Sequence, residues 1–122
     1  MNIQMTYSDN SGETHFGELE LAEVNAAAGP PPNPLGRMAD LGEIKSAFIF
    51  HVPNGTFVPM HNAPHAYLAV CLSGALELVV SDGEVRQLNP GDVIAMGDLN
   101  GKGHSTRALV DSQILFIHRL AH

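Results

Sequence analysis

The chain has one cysteine, Cys71, and no tryptophan among its 122 residues. A lone cysteine excludes an intrachain disulfide, so folding has to rest on a buried core. Cations are scarce: six Lys and Arg stand against thirteen Asp and Glu, for a net charge of −7, and aromatics reach only 6%. That balance speaks against a nucleic-acid partner, which needs phosphate-neutralising cations and stacking rings. It speaks equally against an anionic membrane surface. No apolar run approaches the ~20 residues that span a bilayer. The opening Met1-Asn2-Ile3-Gln4-Met5 lacks the basic and apolar blocks of a signal peptide. A cytoplasmic protein is expected.

What is present suits one small globular domain. Apolar residues make up 44% of the chain, and twelve glycines with eight prolines make it rich in turns. Residues 1–36 read as an N-terminal arm and connector, and residues 37–122 as the domain proper. Within the arm, Thr14 to Val24 has the alternation of an edge strand, with Phe16, Leu19 and Leu21 as its only anchors. In Ala26 to Gly36, four prolines among five residues fix φ and remove donors, which predicts a stiff connector. Beyond it, short apolar runs alternate with turns: Ala47–Val52, Tyr67–Leu72, Ala75–Ser81, Glu84–Leu88, Val93–Met96, Ser105–Val110 and Gln113–Leu120. Strand-length runs punctuated by Gly, Pro, Asn and Asp predict an all-β sandwich or barrel. Asp82-Gly83 predicts a two-residue hairpin.

Seven histidines are the chemical feature of the sequence. His61, His65 and His104 fall at strand ends or in loops among glycines and prolines, where neutral imidazole is the commonest protein ligand for a transition metal. His51 and His118 lie in apolar strands and read as hydrogen-bonded core or rim residues. His15 and His122 read as solvated. Cys71 reads as a small apolar side chain. Lys102, in a glycine turn, is a candidate for steering an anionic substrate.

The stretch Gly55-Thr-Phe-Val-Pro-Met-His61, with Tyr67 and Gly74 after it, resembles the first motif of the cupins. Gly91-Asp-Val-Ile-Ala-Met, opened by the Asn89-Pro90-Gly91-Asp92 turn and followed by Gly103-His104, resembles the second. The resemblance covers roughly residues 44–120 and implies a single cupin-type jelly-roll β-barrel. It implies a divalent transition metal (Fe, Mn, Ni or Zn) inside the barrel, and oxygenase, isomerase, lyase or cyclase chemistry on a small organic molecule. The departures are at the ligands. The second motif histidine falls at Ala63, the glutamate at Tyr67 and the closing asparagine at Ala108, which leaves His61 and His104. His65 is the candidate third ligand if Pro64 forces a bulge that turns it inward. Tyr67 and His104 are the candidate catalytic groups, and Met60, Cys71 and Met96 the candidate pocket wall. Two other functions stay open: a metal-free acid–base catalyst using His61, Tyr67 and His104, and a non-catalytic ligand-binding or sensing domain. Alternation also turns Leu68, Val70 and Leu72 outward. These need a cover, so a homodimer is expected, with the strand near residues 14–24 added to a partner's sheet.

Overall fold

The computed structural model describes residues 1–32 and 35–120; His122 lies outside the described residues. They form β1 (Asn2–Ser8), β2 (Thr14–Glu20), β3 (Val24–Ala27), β4 (Leu35–Met38), β5 (Ile44–Val52) and β6 (Phe57–His61). The chain continues through β7 (Tyr67–Ser73), β8 (Leu76–Val80), β9 (Val85–Leu88), β10 (Val93–Gly97), β11 (His104–Ala108) and β12 (Ser112–Arg119). A six-stranded sheet runs β2-β1-β10-β7-β12-β5, and a four-stranded sheet runs β6-β11-β8-β9. All pairs are antiparallel except β1 with β10. The two sheets make an all-β jelly roll, and no described helix is long and apolar enough to cross a membrane.

Period-two alternation builds the core. In β8, Leu76, Leu78 and Val80 are buried while Glu77 and Val79 between them are not. On the larger sheet Ala69, Cys71, Ile94, Met96 and Ile114 join the same buried cluster. Cys71 is a free, buried thiol in this cluster, and burial pushes its pKa up. It is therefore a packing group, as its surroundings in the sequence suggest.

The N-terminal arm differs from expectation. β1 pairs with β10 inside the larger sheet, and β2 pairs with β1, so residues 2–20 extend the barrel of their own chain. The sequence shows few apolar anchors here because β1 is held chiefly by backbone hydrogen bonds. The outward faces of β7 and β10 are covered from within in part: Leu68, Val70 and Val93 share a groove with Met1, Ile3, Leu21 and Leu41, while Leu72 stays exposed. Leu68 is buried as a result. The proline-rich stretch is not a free connector either. β3 and β4 flank it and pair with each other, Ala26 opposite Gly36, so Pro30, Pro31 and Pro32 sit in the loop of a two-stranded ribbon. The Asp82-Gly83 turn is a three-residue loop, with Val80 bonded to Glu84 and Gly83 at φ +95°.

His15 is not merely solvated. Its two ring nitrogens reach Asp82 at 2.7 Å and Asp9 at 2.8 Å, which joins the β1–β2 turn to the β8–β9 turn. Hydrogen bonds that the ring donates to Asp9 first, and then to Asp82, raise its pKa above the ordinary 6.5. The His15 bond holds the Asp9 carboxyl well below the usual range; the Glu84 amide, then His15, does the same for Asp82. The imidazolium contribution is fully present below 6.5 and is lost as pH rises through the raised folded value. The carboxylate contributions are present above 3.8 and are lost as pH falls through the depressed values. Urea midpoints of the protein and of His15→Gln are expected to differ most near about pH 6, and to converge at alkaline pH. A constant difference from about pH 5 to about pH 9 would show that the clamp does not titrate.

Candidate functional site

A cavity of about 470 Å³ opens between the two sheets. Edge strands β5 and β6 both contribute to its wall, and Leu76, Leu78, Ile94 and Ile114 of the core close its inner end. Phe48, Phe50, Tyr67 and Phe116 form an aromatic wall: Phe48 stacks on Phe116 at 5.5 Å and meets Phe50 and Tyr67 edge-on. No Lys, Arg, Asp or Glu side chain lines the cavity.

Its polar end is a pair of imidazoles. β11 lies between β6 and β8, and His104 is opposite His61 in register, so both side chains leave the same face. Their ring centroids are 4.6 Å apart, and both line the cavity. Two local features bring them together. The β6–β11 register slips by a residue between His104 and Thr106, a bulge that carries Pro59 and Met60 on an edge where a missing N–H is tolerated. Gly103, at φ +79°, lets β11 start against the His61 backbone, where any Cβ would overlap the His61 carbonyl.

Each imidazole has one committed nitrogen. Nδ1 of His61 donates to the Pro59 carbonyl at 2.9 Å, and Nδ1 of His104 donates to Oδ2 of Asp98 at 2.5 Å. Carbonyl and carboxylate oxygens only accept, so each ring carries a proton on Nδ1, and in the neutral form of each imidazole Nε2 presents its lone pair. Asp98 is 0% exposed, in the turn after β10. Its second oxygen accepts from the Thr6 hydroxyl of β1 at 2.8 Å. Thr6 Oγ1 in turn accepts from the Gly97 amide at 3.2 Å. The chain Thr6–Asp98–His104 is thus closed and buried, the setting in which a polar network holds one geometry.

Tyr67 and Met96 line the cavity as expected, and His51, read as a core or rim residue, joins them on β5. His65, Met60 and Cys71 do not. Ala63 and Pro64 take the inward positions of their loop, and His65 turns outward to stack on His118 at 4.2 Å, so Pro64 acts opposite to the expected bulge. Met60 is thrown outward by the β6 bulge. Cys71 sits at the far end of β7, its thiol near the Ser73 carbonyl at 3.5 Å. Lys102 reaches Glu13 at 2.9 Å, away from the cavity lining. Sequence reasoning missed Asp98 and Thr6. A carboxylate six residues before the motif histidine was a usable signal for Asp98; nothing marked Thr6.

Two Nε2 lone pairs are a donor set that a transition metal accepts. The set stops there: no group of three His, Cys, Asp or Glu side chains among the described residues is placed to hold an ion. A catalytic metal takes three protein ligands. The described residues do not fit a resident catalytic metal.

No protein-family model matches this chain, and no curated protein matches it either. Solved structures do. A conserved protein of unknown function from Streptococcus pyogenes is similar at 23% identity and TM-score 0.51, over 62% of this chain and 65% of that one, just under two thirds of its length. A cupin-2 domain containing protein from Shewanella frigidimarina is similar at 17% identity and TM-score 0.50, over 61% and 69%. An RmlC-like cupin protein from Desulfovibrio desulfuricans is similar at 20% identity and TM-score 0.50, over 78% and 79%. At these identities the likeness shows the fold: this protein has the jelly-roll fold of the cupins, in agreement with its two sequence motifs.

Thr6→Val leaves Oδ1 of Asp98 buried without its donor, and is expected to cost about 1–3 kcal/mol. A lowered urea midpoint, largely recovered in Thr6→Ser, checks this. An unchanged midpoint in Thr6→Val would show that Asp98 is satisfied by another group.

Proposed function

We propose that the protein binds a small organic molecule between its sheets and that His104, backed by Asp98, exchanges a proton with it. The observation that carries this reading is the buried His104–Asp98 pair beside an apolar cavity. Nε2 of His104 takes a proton from the bound molecule, and the carboxylate on Nδ1 stabilises the imidazolium that forms. His61 supplies a second acceptor beside it, and Tyr67 a wall ring with a hydroxyl. Of the three functions open from the sequence, the metal-free acid–base catalyst suits this arrangement best. A binding domain without turnover uses the same cavity and differs only in the fate of the proton.

Histidine side-chain NMR during a small-molecule fragment screen tests the reading. Bound fragments are expected to move the His61 and His104 signals and leave His15 unmoved; a screen in which no fragment moves either overturns it. With a turned-over substrate in hand, His104→Gln is expected to lower the rate by about 10²–10⁴-fold. Dialysis of chelator-treated protein against nickel or zinc is expected to give no tight stoichiometric uptake. One tight equivalent, lost in His61→Ala and in His104→Ala but kept in His15→Ala, would restore the metal reading.

The homodimer remains part of the proposal. β5 is a nine-residue edge strand with Ile49 62% and Phe50 55% exposed, and a long apolar edge is a template for pairing. Sedimentation is expected to show a dimer that Ile49→Lys converts to monomer; a monomer at every concentration removes it.

A further inference from the structure

We infer that the cavity selects an uncharged, ring-bearing molecule with a weakly acidic O–H, a phenol or an enol, directed at the His61–His104 pair. This rests on the small-molecule reading above and names the class of molecule.

Charge sets the first condition. Without a Lys, Arg, Asp or Glu in the lining, a buried ammonium would have no counter-charge there, and a carboxylate would find one only where His61 or His104 first takes a proton from solvent. Asp98 offers an ammonium no direct contact, because it lies behind His104, outside the lining, and both of its oxygens are bonded to Thr6 and His104. The second condition is the polarity of the hydrogen bond. With both Nδ1 protons committed to Asp98 and Pro59, the neutral form of each imidazole accepts through Nε2. An ether or ketone would place its lone pairs against theirs, whereas an O–H satisfies one of them directly. Weak acidity follows from the partner: an imidazole held by a carboxylate takes a proton from a phenol or enol far more readily than from an aliphatic alcohol. The product of that transfer is a phenolate or enolate beside the His104 imidazolium, so charge appears in the cavity only as an adjacent pair.

Shape sets the third condition. Phe48, Tyr67 and Phe116 present ring faces and edges of the sort that flat aromatic molecules stack against. The volume of about 470 Å³ lies in the range of pockets that enclose molecules of two or three rings.

Four naphthalene probes test this on chelator-treated protein: 2-naphthol, 2-methoxynaphthalene, 2-naphthoate and 2-naphthylmethylammonium. The protein has no tryptophan, so naphthalene emission reads binding directly. 2-Naphthol is expected to bind, and the other three about tenfold or more weakly. His61→Phe keeps a ring on an exposed edge strand but removes one acceptor, and is expected to narrow the preference of 2-naphthol over its ether. Equal binding of 2-naphthol and 2-methoxynaphthalene overturns the O–H requirement, and preferred binding of either ion overturns the charge requirement. If no naphthalene binds while other fragments move His61 and His104, the aromatic class falls and the small-molecule reading stands. If nothing moves them, both fall.

Discussion

A carboxylate with no access to solvent has to be satisfied from within the protein, and Asp98 is satisfied from two distant parts of the chain. Thr6 holds one oxygen and His104 the other. Removing either partner leaves a buried carboxylate oxygen without its donor, a loss felt in stability. The pairing of β1 with β10 brings Thr6 alongside Gly97 and Asp98, so the N-terminal strand does more than lengthen a sheet. It completes the polar network that orients the histidine of the cavity.

The same constraint divides the cavity chemically. Asp98 and the Pro59 carbonyl occupy one nitrogen on each imidazole, and the free nitrogens face a lining without formal charge. An imidazole pair in water would be an ordinary feature. Beside an aromatic wall it gives a bound molecule two adjacent ring nitrogens to meet, so orientation and chemistry coincide there.

The edges of the two sheets account for much of the remaining surface. β5 and β6 end their sheets with exposed Ile49, Phe50, Phe57 and Met60, and both border the cavity. At the other end of the larger sheet, β2 is polar and tied down through His15 to Asp9 and Asp82. One edge is thus protected by charge. The other keeps apolar surface next to the site.

Much of the architecture was legible in the residues. Strand runs from Ala47 onward and the turn at Asn89-Pro90-Gly91-Asp92 followed from local pattern, because alternation and turn chemistry are short-range properties, and the resemblance to the cupin motifs singled out His61 and His104. β1 was not legible. Its stability comes from pairing with β10, and parallel pairing leaves no mark on local composition. The ribbon around the prolines escaped for a related reason: each four-residue flank is a strand only because the other exists. Within the site, His61, Tyr67 and His104 could be picked out along the chain, whereas Asp98 and Thr6 were not. Tertiary structure decided which of them meet. His65 is four residues from His61 and yet faces His118, while Thr6 is 92 residues from Asp98 and bonded to it. Separation along a chain says little about convergence across two sheets, because register, a bulge at Pro59 and a glycine at 103 set where each strand's side chains point.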